Sequence, residues 1–590
     1  MKPLWRVPIL GLLAWQAALA HAQWQPSGMA AEPALPQRSP RLFVAQYDPA
    51  TGAGDLLVVR SAVDTAQPLW QAAQLLQPRR SADSREPRHI VLGAVADADR
   101  RGPSDALAAR LHAAPLGAVL NALPWPVRAG SPDRPAMVYV GAHDGMLHGF
   151  DADDGQERFA YAPRGLLPRL SAGARDAAVD GPVFGGEAPI GPEGALHPLL
   201  VAGLGSGGRG FFVLDVNAPQ AFAPDRVLAD LSDSTDADIG QLFSPPVLAD
   251  DAANRARHVV QLGNGRWALV VGNGYFSRAD RPVLLFQYLD QARELARLTP
   301  CPSFGPCTYA GSNGLSMPRL LDVDGDGRID RAYAGDLQGR LWRFDLAGGE
   351  HQWRVAHEGR PLFTACDAQG RPQPITTAPH ATPHPRGGIM LVFGTGRHLR
   401  PGDRGDTRPQ SIYGVRDDGS GPLQSGTADC ARPAIMAART YAAPVTLHGT
   451  DYYGVAGAPA GDTAQRGWWI DLPRPGQRVL LNPQGFEGYK VLVHSVVPHG
   501  AAGRPWTDGQ TYLSVLNLLT GDAPAQPAFG IADGALAPLS PGMARVPPGQ
   551  AVLQRLPGQG QVLVQYPGAA PVVLRTARTT GARAGWHERR

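Results

Sequence analysis

Short β-rich runs separated by glycine-containing turns return along this chain at a nearly constant interval. The clearest copy is Met137-Val-Tyr-Val-Gly-Ala-His-Asp-Gly-Met-Leu-His-Gly-Phe-Asp151, and Arg331-Ala-Tyr-Ala-Gly-Asp-Leu-Gln-Gly-Arg-Leu-Trp-Arg-Phe-Asp345 nearly repeats it. Leu199–Asp215, Trp267–Tyr275 and Ile389–Gly396 carry the same pattern; Gly467–Asp471 and Thr511–Leu516 carry weaker forms. From Tyr139, Val201, Val270, Tyr333 and Leu391 the steps are 62, 69, 63 and 58 residues. A steady period is the mark of a repeat architecture. Each unit reads as strands with alternating apolar positions joined by Gly, Asp and Asn turns. One such sheet cannot bury its own face, whereas blades packed radially can, leaving only short edges. The pattern predicts an all-β fold, a β-propeller of about seven blades over roughly residues 40–520, with long inter-strand loops. A pair of β-sandwiches is the competing architecture, but it gives no reason for the turn chemistry to recur on a fixed period. Two stretches fit less well. Residues 72–120 mix Arg-rich loops with a helical segment at Ser104–Leu111. Residues 521–590 are rich in Pro, Gly and Ala, with short strands expected at Gln550–Leu553 and Gln561–Tyr566.

Composition agrees with this and narrows the function. Gly (71) and Pro (57) make up about a fifth of the 590 residues, which argues against a helical bundle or coiled coil. With 43% hydrophobic and 18% charged residues the chain can bury a sizeable core. The net charge is only +3, and nearly all the basic residues are Arg, with Lys2 and Lys490 the only lysines. A near-neutral chain lacks the concentrated basic footprint that nucleic-acid binding needs.

The N-terminus reads as a secretory signal peptide over residues 1–22. Lys2 and Arg6 form a positive region, Val7–Leu19 is mainly apolar, and Ala20-His21-Ala22 is an A-x-A cleavage site that starts the mature chain near Gln23. Pro8 and Gln16 interrupt a run already too short to span a bilayer, and no later segment is long and apolar enough, so no transmembrane span is expected after cleavage. Export implies an oxidising compartment and disulfides among Cys301, Cys307, Cys366 and Cys430. Four cysteines allow three connectivities. Pairing Cys301 with Cys307 would close a small loop containing Pro302 and Pro306 and leave Cys366 for Cys430. The absence of Cys-x-x-Cys removes support for thioredoxin chemistry, a zinc ribbon or haem attachment.

Several motifs fail on context. Gly203-Leu-Gly-Ser-Gly-Gly208 matches the dinucleotide fingerprint, but a strand, Phe211-Phe-Val-Leu214, follows where a helix is required. Ser206 is no nucleophile elbow, because Leu204 takes the first glycine position. His380, His384 and His398 lie among prolines and strand ends without partners at a metal-binding spacing, and read as surface histidines. Arg404-Gly405-Asp406 matches an integrin-type tripeptide, which chance explains in a chain this rich in those residues.

One motif stands. Asp322-Val-Asp324-Gly-Asp326-Gly-Arg328-Ile-Asp330 places carboxylates at positions 1, 3, 5 and 9 of an EF-hand-like loop, with Gly327 at position 6. Ca2+ takes six to eight oxygens, and alternation aims these side chains at one centre. The Arg328 carbonyl would be the main-chain ligand of position 7. Position 12 is Tyr333 rather than a bidentate Glu, and the flanks read as strands, Leu320-Leu321 and Ala332-Tyr-Ala334. The expectation is a calcium loop between two propeller strands, short of at least one protein ligand. A solvated Asp-Gly turn is the alternative.

Together these phrases resemble the C-terminal propeller of the PilC/PilY type IV pilus biogenesis proteins. The resemblance is carried by Val138–Asp151 and Leu321–Asp345, by Gln373-Pro-Ile-Thr-Thr-Ala-Pro379, Phe393-Gly-Thr-Gly-Arg397, Ser411-Ile-Tyr-Gly-Val415 and Gly467-Trp-Trp-Ile-Asp-Leu-Pro473, and by the ending Arg583-Ala-Gly-Trp-His-Glu588. It implies a quinoprotein-alcohol-dehydrogenase-like propeller with irregular N- and C-terminal segments. It carries the calcium ligands over to Asp322, Asp324, Asp326, Arg328 and Asp330. It also implies a non-enzymatic role in pilus assembly, supporting extension against retraction, with surface adhesion and twitching motility. Partners would be pilins or minor pilins and a host or abiotic surface; the location would be periplasm, outer-membrane surface or pilus. Domains are expected at 1–22 (signal peptide), 23–115 (N-terminal segment, partly in the propeller), 116–520 (propeller) and 521–590 (closing strands). Such proteins usually carry a long N-terminal region, whereas fewer than about 100 residues precede the propeller pattern here. Leu116-Gly-Ala-Val-Leu-Asn-Ala-Leu-Pro124 is a weakened form of the family's entry into the propeller. Two other functions compete: a periplasmic quinone-dependent dehydrogenase, which would typically carry an adjacent cysteine pair that is missing here, and a passive outer-membrane assembly scaffold.

Overall fold

The computed structural model describes residues 25–575 apart from short internal stretches, the longest being 94–104, 499–508 and 530–540. The expected signal peptide and Arg583–Glu588 lie outside the described residues. Among those residues the strands form a propeller. Sheet 1 comprises Gln25–Ala31, Leu42–Tyr47, Gly54–Val59 and Trp70–Gln71. Sheet 2 comprises Trp125–Val127, Met137–Gly141, Leu147–Asp151 and Glu157–Ala162, with Ile90–Leu92 added in parallel on its outer strand. Sheet 3 holds Val183–Ala188, His197–Gly203, Phe211–Asp215 and Val227–Asp230. Sheet 4 holds Val259–Leu262, Trp267–Gly272, Leu284–Tyr288 and Leu295–Leu298. Sheet 5 is built on Arg319–Leu321, Arg331–Gly335 and Arg340–Asp345.

Sheet 6 begins with His380–Pro383, Ile389–Gly394, Ser411–Asp417 and Gly467–Asp471, and sheet 7 with Gln484–Phe486, Lys490–Val497, Gln510–Asn517 and Pro541–Val546. One strand, Met436–Tyr441, fuses them. Its first residues pair in parallel with Gly467–Ile470 and its last two antiparallel with Val455–Ala456. The C-terminal segment adds a three-stranded sheet 8, Val552–Leu556, Gln561–Gln565 and Val572–Arg575, whose last strand is bridged by Phe529. Gln25–Ala31 lies against Val552–Leu556, so the last sheet meets the first.

Period-2 alternation explains why the sheets stack. In sheet 1, Phe43, Ala45, Leu56 and Val58 pack onto Val138, Val140 and Phe150 of sheet 2, while Leu42, Val44, Leu57 and Val59 bury the opposite face. Similar apolar layers join each following pair. Val270 and Phe286 meet Trp342 and Phe344 between sheets 4 and 5. Ile412 and Trp468 meet Val491 and Val493 between sheets 6 and 7, and Leu513 and Val515 meet Val562 and Val564 between sheets 7 and 8. Burying one such side chain is worth roughly 1.5–3 kcal/mol.

The two near-identical sequence copies share one turn device. Asp336 is fully buried and accepts from the backbone N–H of Gln338 and Arg340 (2.9 Å each) and from Trp342 Nε1 at 3.0 Å. Asp144 does the same for Met146 N–H (3.1 Å), with His148 Nε2 3.1 Å from its carboxylate. Linkers also tie distant sheets. Asn482 donates to the carbonyls of Pro245 and Pro246 (3.1 and 3.0 Å) and accepts from Ala378 N–H at 2.9 Å. Cys301 is joined to Cys307 and Cys366 to Cys430. The second bond spans 64 residues and fastens Cys430 to the end of sheet 5, where loop-closure entropy alone gives about 4 kcal/mol. Leu423 N–H reaches Leu362 O at 2.9 Å and Arg432 Nε reaches Cys366 O at 2.9 Å along the same seam.

A buried charge network anchors the N-terminal segment to sheet 2. Arg88 and Glu157 form a bidentate pair (2.7 and 2.8 Å), and His148 Nδ1 lies 2.8 Å from Glu157. Arg88 Nη1 also donates to the carbonyls of Leu111 and Ala114 (3.1 Å each), closing the end of helix Asp105–Ala113. Burial opposes the imidazolium of His148, but Asp144 and Glu157 outweigh it and push its pKa up to about 9. Burial likewise opposes the Glu157 carboxylate, yet Arg88 and His148 hold it down to about 2. The folded value of His148 exceeds its unfolded value of about 6.5. Its contribution to stability is therefore complete below about pH 6.5 and lost as pH rises through about 9. We expect Tm to fall over that window in the protein and His148→Gln to flatten the fall; an unchanged alkaline slope in the variant contradicts the assignment. Glu157→Gln strands Arg88 in the core and should cost about 3–5 kcal/mol by chemical denaturation.

Candidate metal centre

The acidic loop leaves sheet 5 after Arg319–Leu321 and returns at Arg331–Gly335. Its flanks are strands, as the sequence indicates, and pair antiparallel from Arg319↔Tyr333 to Leu321↔Arg331. Asp330 N–H donates to Leu321 O at 3.0 Å, closing the base of the loop. Inside it the carboxylates fold the backbone around themselves. Asp322 accepts from the N–H of Gly325 (2.7 Å) and Gly327 (2.9 Å), and Asp330 Oδ2 from Val323 (2.7 Å) and Asp324 (3.3 Å). Gly325 and Gly327 sit at φ 82° and 88°, the left-handed region that a side chain would strain.

This folding brings one oxygen each of Asp322, Asp324 and Asp330 within 4.8 Å of one another. Asp322 and Asp330 are half-buried and Asp324 is exposed, so the centre opens to solvent. Asp326 stands outside that group; its Oδ1 accepts from Arg328 N–H at 2.8 Å. Arg328 belongs to a two-residue strand, Arg328–Ile329, which pairs with the neighbouring sheet. Burial raises the Asp330 pKa above the usual carboxylate range, and the charges of Asp324 and Asp322 add to the shift against the two amides it accepts from. Three converging carboxylates repel unless a cation joins them. An all-oxygen donor set fits a hard ion such as Ca2+, which accepts irregular geometry and water ligands, and does not favour a thiolate- or imidazole-seeking metal.

The other candidates fall elsewhere. Ser206 donates to Asp180 at 2.6 Å within a hairpin that continues into Phe211–Asp215. His380, His384 and His398 are half-buried rather than fully exposed, and among the described residues they belong to no metal-binding group. Arg404-Gly405-Asp406 caps a short turn, Pro401–Gly405, held from beneath by Arg478, which donates to the carbonyls of Arg397, Asp403 and Asp406. The Asp406 carboxylate is taken by Arg408 at 2.6 Å.

The family model for the PilY1 beta-propeller domain matches residues 127–438. The chain belongs to the PilY1 family. A type IV pilus biogenesis factor PilY1 homolog of Xylella fastidiosa is 32% identical over 478 residues, covering 74% of this chain and 31% of that protein. PilY1 of Pseudomonas aeruginosa is 35% identical over 446 residues, covering 65% of this chain and 36% of its own length. The crystal structure of the P. aeruginosa PilY1 C-terminal domain superposes with a TM-score of 0.59 at 28% identity, over 74% of this chain and 92% of that domain. The chain thus spans about a third of the length of the curated relatives it matches. The acidic loop lies inside the matched region.

The sequence did not reveal that the loop's exit strand crosses to another sheet, because two residues carry no periodicity. The buried Arg88–Glu157–His148 group was also missed, although a histidine at a buried strand position between Leu147 and Phe150 was a usable signal. For the loop itself we expect one Ca2+ with a dissociation constant of about 10⁻⁶–10⁻³ M, the range of sensors and extracellular modules. Asp324→Ala should weaken calorimetric binding and remove the calcium-dependent rise in Tm while leaving the propeller folded. Equal binding in wild type and variant would place the site elsewhere.

Proposed function

We propose that this protein is a calcium-binding type IV pilus biogenesis factor that supports pilus extension against retraction. The observation that carries the reading is membership of the PilY1 family over residues 127–438, joined by the superposition on a PilY1 C-terminal domain. The curated relatives are named as biogenesis factors, which favours a non-enzymatic role. The acidic loop supports calcium as the ligand: Asp322, Asp324 and Asp330 supply carboxylate oxygens, with the Arg328 carbonyl, Asp326 and water as the remaining candidates. Partners on this reading are pilins or minor pilins, and adhesion and twitching motility follow from the pili themselves. A site of action outside the cytoplasm fits the leader-like N-terminus and two disulfides. Among the described residues no helix is long and apolar enough to cross a membrane.

Deletion of the gene should reduce surface pili and twitching, and disabling the retraction motor in that strain should restore part of the piliation. Counts of sheared surface pilin provide the measurement. Unaltered piliation in the deletion strain, or altered outer-membrane protein levels with normal pili, would contradict this function.

A further inference from the structure

The acidic loop belongs to sheet 5, but its exit is built onto sheet 4. Arg328 pairs with Gln261 and Ile329 with Leu262, in parallel, on the free edge of Val259–Leu262. Ile329 is 8% exposed and shares one apolar cluster with the fully buried Leu262, Val270, Trp342 and Phe344. A second route runs through the backbone of Asp330, whose carbonyl accepts from Leu346 N–H at 2.7 Å. Leu346 is fully buried in the same cluster and opens the turn that holds Gly348. That turn touches sheet 4 at Gly263, where a Cβ would fall 2.4 Å from Gly348 O, 2.6 Å from Gly348 N and 2.9 Å from Leu346 O. Next to it, Asn264 Nδ2 donates to Tyr288 OH and Tyr288 OH to Glu350, both at 2.8 Å. Residues 328–330 therefore share their positions with two contacts that close the seam between sheets 4 and 5.

We propose that the loop is a clasp on this seam: a divalent cation among Asp322, Asp324 and Asp330 fixes residues 328–330 and thereby tightens sheet 4 against sheet 5. The inference rests on the calcium reading above and adds its consequence for the fold. Without the cation the carboxylates repel, and Asp330 passes that repulsion to residues 328–330, which pair with sheet 4 through Arg328 and Ile329. With the cation that repulsion is removed and the pairing of Arg328 with Gln261 and of Ile329 with Leu262 forms at lower cost. Coupling of this kind is reciprocal, so packing at the seam must also set the affinity for the cation. Gly263 is the place to test it, since it lies on the other sheet and supplies no ligand oxygen.

The test uses the whole mature chain with calcium chloride as the only added ligand. In wild type, hydrogen exchange with calcium against chelator should slow at amides 259–262 and 267–272 as well as at 322–335, and stay unchanged in Leu42–Tyr47 of sheet 1. Gly263→Ala, which forces Gly348 away, should weaken calorimetric calcium binding about three- to tenfold, the size expected of a coupling free energy of about 1 kcal/mol. Wild-type binding with protection confined to sheet 5 overturns the clasp and leaves the calcium reading standing. A folded Gly263→Ala chain that binds calcium as tightly as wild type overturns it too. No calcium heat and no protection anywhere in wild type removes both readings together. The wild-type exchange pattern decides the matter even where Gly263→Ala fails to fold.

Discussion

Burial of both faces of every sheet is the constraint on which this structure depends. Leu42 and Val44 point one way from their strand, Phe43 and Ala45 the other, and all four are within 3% of complete burial. A sheet patterned in this way is stable only between two others. Each interior sheet accordingly lends one layer to its predecessor and one to its successor. The ends of the row face the same demand, and the approach of Gln25–Ala31 to Val552–Leu556 answers it by turning the row into a ring. Cross-ties such as Asn482 to Pro245 and Pro246, and Cys366 to Cys430, then link parts of the ring that the ladders do not reach.

Much of this was legible in the sequence where the signal was local and repeated. The glycine-rich turns announced the period, most plainly in the two copies where an aspartate organises the turn, as Asp336 does with Gln338, Arg340 and Trp342. The acidic loop was legible because its chemistry is packed into nine consecutive residues. What escaped was non-local. Sheet 8 was only partly seen, since Val572–Arg575 sits in a Pro- and Ala-rich tail where four residues give little alternation. Met436–Tyr441 divides its pairing between two sheets, and Ile90–Leu92 joins sheet 2 in parallel from far upstream; neither choice is written in the strand itself. Arg88 looked like one more arginine in an Arg-rich loop, and only the fold shows it sealed against Glu157 with 2% exposure.

Family membership and the loop give the same picture from two directions. The curated relatives are named as type IV pilus biogenesis factors, and the loop gathers carboxylate oxygens of Asp322, Asp324 and Asp330 at the edge of sheet 5. On the calcium reading proposed above, its open centre and its missing twelfth-position carboxylate predict reversible occupancy. The seam contacts at Ile329 and Gly263 are where the proposed clasp would carry that occupancy beyond the loop.

On the function proposed above, one hard cation sits among these carboxylates. Anomalous diffraction from crystals grown in calcium tests it most directly. A single peak bounded by oxygens of Asp322, Asp324 and Asp330 is expected. A calcium peak elsewhere with none in this loop, in crystals where the loop is ordered and free of lattice contacts, would contradict it.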